Sequence, residues 1–111
     1  MVGGQGPDIV KEMMYRLTFR KEAEFDIDAC FDYYEEKREG LGHDFLLCLE
    51  EALGKLRRNP LIYQPIHKEI RRIPIRRFPY RLFYLVKHDR VIIAAVFHAR
   101  KDPQAWRKRS G

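Results

Sequence analysis

The chain has 111 residues, with 22 Lys/Arg against 16 Asp/Glu and a net charge of +6 at neutral pH. That length predicts one domain able to bury a real core without a disulfide staple, and Cys30 and Cys48 lack the spacing to a second Cys or a His that would hold a metal. No apolar run approaches the roughly 18 residues needed to span a bilayer, and no basic-then-apolar leader opens the chain, so a cytoplasmic protein free of membrane and of small-molecule cofactor is expected.

Residues 1–13 contain glycine and no apolar period and read as a disordered extension, leaving 14–111 as the domain. Tyr15-Arg16-Leu17-Thr18-Phe19 alternates and predicts a first strand. From Lys21 to Arg38 the period becomes helical. Ala23, Ile27, Cys30, Phe31 and Tyr34 form one stripe, and acids including Glu22, Asp26, Asp28, Asp32, Glu35 and Glu36 fill the other face. Gly40-Leu41-Gly42 stops this helix and turns the chain. A second amphipathic helix over His43–Arg58 carries Phe45, Leu46, Leu49, Ala52, Leu53 and Leu56, and Asn59-Pro60 ends it.

Leu61 to His67 reads as a loop, followed by a second strand over Glu69–Ile73. Pro74 and Pro79 bound a link that carries Arg76 and Arg77, and prolines there argue against a central strand. Tyr80–Lys87 predicts a third strand, His88-Asp89 a hairpin turn, and Arg90–Phe97 a fourth. The fourth is apolar from Val91 to Phe97 without alternation, which predicts burial on both faces and a central place in the sheet. Asp102-Pro103 reads as an N-cap with proline at N1 of a short basic helix through Lys108. The fold class is α+β in the order β-α-α-β-β-β. A helical hairpin packs on a small, mostly antiparallel four-stranded sheet, with a short C-terminal helix.

Charge is divided along the chain. Residues 1–65 hold 13 Asp/Glu and 9 Lys/Arg, whereas 66–111 hold 13 Lys/Arg and 3 Asp/Glu. A basic half of this strength points to an acidic partner, either a phosphate backbone or an acidic polypeptide. The basic half has no carboxylate pair, no Gly-rich phosphate loop and no Gly-x-Ser-x-Gly elbow. What remains is a cationic set: Arg71, Arg72, Arg76, Arg77, Arg81, Arg100 and Lys101, with His98 among them. Adjacent strands lie ~4.8 Å apart, so Arg81 and Arg100 could meet at one phosphate. Guanidinium groups would stabilise phosphorane charge and His98 would move a proton, which amounts to a metal-free ribonuclease centre. The competing reading lays Arg81 along Tyr84 and Phe83 with its head in water, and has His98 closing a strand end by hydrogen bonding.

The first strand with Lys21-Glu22-Ala23-Glu24, the hairpin ending at Arg57-Arg58-Asn59-Pro60, Tyr80-Arg81-Leu82-Phe83-Tyr84, and Phe97-His98-Ala99-Arg100-Lys101-Asp102-Pro103 together resemble the RelE/ParE superfamily of bacterial toxins over about residues 14–108. The resemblance implies the fold above and an acidic antitoxin that wraps the toxin. It also implies one of two activities: RelE-like metal-independent cleavage of messenger RNA in the ribosomal A site, or ParE-like poisoning of DNA gyrase by binding. On the first, Arg81, Arg100, Arg72 and His98 would be catalytic. The RelE-type lysine position falls on Pro74, however, and the C-terminal tyrosine position on Trp106, which has no hydroxyl. The hairpin length and the ending from His98 look more like the ParE branch, where Arg71, Arg72, Arg76, Arg77, Arg81, Arg100, Lys101, Trp106 and Arg107 would bind the antitoxin or gyrase. A degenerate, non-toxic antitoxin-binding module is a third expectation.

Overall fold

A computed structural model describes residues 14–110; the extension expected over residues 1–13 lies outside the described residues. The elements follow the predicted order: β1 (Arg16–Phe19), α1 (Lys21–Lys37), α2 (Leu41–Arg58), a 3-10 turn (Pro60–Ile62), β2 (Arg71–Pro74), β3 (Tyr80–Lys87), β4 (Arg90–His98) and α3 (Pro103–Arg107). The sheet order is β1-β4-β3-β2. The all-apolar β4 therefore lies inside the sheet, parallel to β1 and antiparallel to β3. Strand β2 starts at Arg71 rather than Glu69. A tight turn with Lys68 in the left-handed region (φ 53) intervenes, and Ile70 pairs back with His67. His88 takes the left-handed position (φ 57) that a glycine commonly fills in a two-residue hairpin.

Two apolar clusters lie on opposite faces of the sheet. On the hairpin face, Ile73, Leu82, Tyr84, Val91, Ile93 and Val96 meet Ala23 and Cys30 of α1 and Phe45, Cys48, Leu49, Ala52 and Leu56 of α2. On the distal face, Phe83, Leu85, Ala94 and Ala95 pack with Ile70 and with Trp106 of α3. The pattern of β4 explains both. It alternates normally up to Ile93, then a bulge intervenes: Tyr84 pairs with Ile93, but Phe83 pairs with Ala95. Ala94 is the extra residue. One inserted residue inverts the facing of everything after it, so Ala94 and Ala95 both turn distal while Val96 returns to the hairpin face.

The hairpin turn is locked by one carboxylate. Glu35 of α1 accepts the backbone N–H groups of Gly40 and Gly42 at 2.9 Å each, satisfying two donors around the start of α2 that no helical carbonyl can reach. Gly40 sits at φ 88, and Gly42 lies where a Cβ would come 2.7 Å from the Phe31 carbonyl oxygen and 2.9 Å from Glu35 Oε1. Gly42 is thus required by the close approach of α1 to α2. Both cysteines are free and buried. Among the described residues, no helix is long and apolar enough to cross a membrane.

Two outcomes follow. Gly42→Ala should destabilise the protein by about 2 kcal/mol, as over-packing against fixed backbone does, measured by urea unfolding. The N–H of Gly40, together with that of Gly42, holds the Glu35 carboxyl below the usual carboxylate range. Its stabilising contribution is therefore complete above the unfolded carboxylate pKa and lost as pH falls through the depressed folded value. The melting-temperature gap between wild type and Glu35→Gln should be widest near neutrality and close in acid.

Candidate binding surface

The bulge decides which functional side chains can meet. Downstream of it, Tyr80 pairs with His98 and Arg81 with Phe97. Tyr80 packs into the hairpin-face core, and the His98 ring stands edge-on to it with centroids 5.3 Å apart. Arg81 alternates with Leu82 and falls on the distal face beside Phe83 and Phe97. The expected partners Arg81 and His98 therefore sit on opposite faces of the sheet. His98 is engaged locally: its Nδ1 accepts the backbone N–H of Arg100 at 3.0 Å, closing the turn after β4. In this bond the neutral ring carries its proton on Nε2. Arg100 itself is exposed in that turn.

Other arginines also divide by face. Arg71, opposite Tyr84 on β2, turns its guanidinium to the carbonyls of Tyr63 and Leu61. Arg76 pairs with Glu51 of α2 at 2.8 Å, and Arg77, at φ 74, lies 3.9 Å from Asp44. These three hold the β2–β3 region to the preceding loop and to α2. Arg72, opposite Phe83 on β2, belongs with Arg81 on the distal face. Burial, and secondarily the Arg81 charge, lower the Arg72 pKa. Lys101 lies over the Phe97 ring at 5.3 Å and Arg107 over the Trp106 ring at 5.5 Å. Neither these two nor Arg72 and Arg81 have a carboxylate within ion-pair distance among the described residues. Trp106 is 7% exposed and stacked on Phe83 at 5.2 Å, so it anchors α3 to the distal core.

The groups that sequence reasoning missed hold this arrangement together. Asp26 of α1 accepts the Val96 N–H at 3.0 Å and pairs with Arg109 at 2.8 Å; Arg109 also donates to the Ala94 carbonyl at 2.9 Å. Val96 and Ala94 border the bulge, beyond the last β1–β4 pair at Phe19–Ile93. No neighbouring strand serves them there, and the two side chains take its place. Arg20 then donates to the Arg109 carbonyl at 2.7 Å. The arrangement fastens α1, β4 and the segment after α3 at one point, with side chains only 15% and 22% exposed. Asp26 could have been found in the sequence, because it lies three residues after Ala23 and four before Cys30, on the buried stripe.

Chemistry at the Tyr80 end is quiet. Burial pushes the Cys30 thiol up to about 11 and the Tyr80 hydroxyl up to about 12. Both groups are neutral at physiological pH, as core residues rather than nucleophiles. The described residues contain no group of three or more His, Cys, Asp or Glu side chains placed to hold a metal ion. The distal face displays Arg72, Arg81, Lys101 and Arg107, the last two over aromatic rings, an arrangement that suits an anionic partner.

The family model for the ParE toxin of type II toxin–antitoxin systems, parDE, matches residues 17–103. The chain belongs to this ParE toxin family. No curated protein matches its sequence significantly. Among solved structures, it is similar to the chromosomal ParDE toxin–antitoxin system from P. aeruginosa, with 18% identity and a TM-score of 0.68, covering 78% of this chain and 97% of the other. It is also similar to the toxin–antitoxin complex RelBE2 from Mycobacterium tuberculosis, at 26% identity and a TM-score of 0.56 over 81% and 95% of the two chains. The E. coli toxin RelE, as a double mutant in the free state, gives 19% identity and a TM-score of 0.57 over 89% and 100%. The RelE/ParE resemblance in the sequence is thus supported by the family match, and the fold it implied is the one observed.

In this ParE-family chain the Asp26–Arg109 pair is central to stability. Asp26→Ala and Arg109→Ala should each cost about 2 kcal/mol, the range for losing a partly buried charge-assisted bond and leaving its partner unpaired. The double variant should cost clearly less than the sum, because each change removes the same interaction. A urea-unfolding mutant cycle measures it.

Proposed function

We propose that this protein is the toxin of a type II pair, that it arrests growth by binding DNA gyrase rather than by cutting RNA, and that a cognate acidic antitoxin neutralises it. The observation that carries the reading is the separation of Arg81 and His98 by the thickness of the sheet. A metal-free ribonuclease needs a proton-transfer group and a phosphate-stabilising cation on one scissile phosphate. Here the histidine is turned to the other face and hydrogen-bonded there. Trp106 brings no hydroxyl and is buried, and Pro74 stands where the RelE-type pattern has a lysine. The match to the ParE family model supports the same branch.

An acidic antitoxin fits the distal face. Arg72, Arg81, Lys101 and Arg107 lack internal carboxylates among the described residues, and the solved relatives from P. aeruginosa and M. tuberculosis are toxin–antitoxin systems. One observation favours the RelE-like alternative, a ribosome-dependent endoribonuclease: Arg72 and Arg81 share the distal face, where burial, and secondarily the Arg81 charge, lowers the Arg72 pKa. Such a like-charge pair is the arrangement that a phosphate would relieve.

Purified protein should inhibit negative supercoiling by gyrase while leaving mRNA intact on programmed ribosomes. Cleaved mRNA with unaffected supercoiling would reverse the assignment. His98→Ala should retain growth arrest on expression, whereas a ribonuclease dependent on that imidazole would lose it.

A further inference from the structure

The described molecule carries two surfaces of opposite sign on opposite sides, neither with an ion pair to its own charges among the described residues. The outward ridge of α1 runs through Phe25, Ala29 and Tyr33, spaced four residues apart and so aligned on one side of the helix. Phe25 is 67% exposed and Tyr33 51%. Lys37 Nζ lies over the Tyr33 ring at 4.9 Å, whereas the Phe25 ring has no cation over it among the described residues. Asp28, Asp32 and Glu36 flank them, are exposed, and form no ion pair among the described residues. Facing the other way, beyond the sheet, is the distal field of Arg72, Arg81, Lys101 and Arg107, likewise without carboxylate partners. The hairpin and the sheet lie between the two surfaces, so one molecule cannot bring them together.

We propose that the free protein self-associates head to tail, the Phe25–Tyr33 ridge of one copy seating on the distal cationic face of the next. The occupant is a second copy because the chain supplies both complementary surfaces: Asp28, Asp32 and Glu36 make the ridge acidic, with Lys37 over Tyr33 at its C-terminal end, and the distal field is cationic. The contact is heterologous: the two patches are different surfaces on opposite sides, so it does not close into a two-fold dimer, and further copies add to the exposed ends. Attraction between surface charges fixes the register and is screened by salt. An acidic ligand on the distal face, including the antitoxin assigned there above, ends the growing chain. The proposal does not depend on whether gyrase is the target.

Sedimentation equilibrium of the purified protein tests it. At low ionic strength, about 0.05 M, the average mass should rise steadily with concentration without reaching a plateau at the dimer. At about 0.5 M salt it should return to the monomer. Asp28→Lys/Asp32→Lys and Arg72→Glu/Arg81→Glu should each weaken association by more than about tenfold alone, because like charges then face each other. An equimolar mixture of the two should associate again, because each then offers the other a complementary pair of faces. Circular dichroism confirms that each variant is folded; if either double variant is not, Asp32→Lys and Arg81→Glu are used in its place with the same expectation. A monomer at every concentration in low salt would overturn the proposal. So would a dimer of fixed mass indifferent to salt, or a mixture that stays monomeric.

Discussion

The structure depends on a single inserted residue in its central strand. Ala94 bulges out between Ile93 and Ala95, and everything C-terminal to it in β4 faces the side opposite to that which uninterrupted alternation would give. Without the bulge, Val96 would leave the hairpin core and His98 would stand on the distal face with Arg81. With it, Val96 completes the packing against α1 and α2, two small alanines clear space on the distal face for Trp106, and His98 is turned away to Tyr80. Fold and candidate chemistry are set by the same step.

A bulge in an interior strand leaves backbone groups without ladder partners, and an unpaired buried amide or carbonyl costs as much as a lost hydrogen bond. Strand β1 is too short to serve them, since it ends at Phe19 opposite Ile93. Asp26 and Arg109 satisfy Val96 N–H and Ala94 C=O, and each also neutralises the other. The same contacts secure the segment after α3, so that Trp106 stays stacked on Phe83 and the cations of the C-terminal segment are displayed over a fixed aromatic floor. Charge display on the distal face is in this sense a consequence of how the bulge is stabilised.

Much of this was legible in the sequence because periodicity reports it directly. The change from alternation to helical spacing at Lys21, the glycines at 40 and 42, and the unbroken apolar run from Val91 gave the element order, the hairpin and the central place of β4. The second helix begins at Leu41 rather than His43 because Gly40 and Gly42 serve its first turn and do not merely separate two helices. The facing of individual residues was not legible. A run in which every residue is apolar carries no parity, and Ala94-Ala95 can sit on either side of a sheet without penalty, so nothing marked the inversion. The expectation that Arg81 and Arg100 meet at one phosphate, with His98 moving the proton beside them, rests on an unbroken register. The expected cationic platform divides for a similar reason: Arg76 and Arg77 fall in the link that crosses toward α2, where Glu51 and Asp44 receive them. By composition Asp26 and Glu35 belong to the acidic face of α1, but each lies beside its apolar stripe, and that position is the available sign that they work inside the fold.

The most direct measurement is the set of nuclear Overhauser contacts of the His98 ring in isotopically labelled protein. The His98 imidazole protons should show contacts to the Tyr80 ring and none to the Arg81 side chain, with both Ala94 and Ala95 methyls close to distal-face aromatics. Strong contacts from His98 to Arg81, with Val96 on the distal side, would show an unbulged strand and would contradict the separation on which the binding-toxin reading rests.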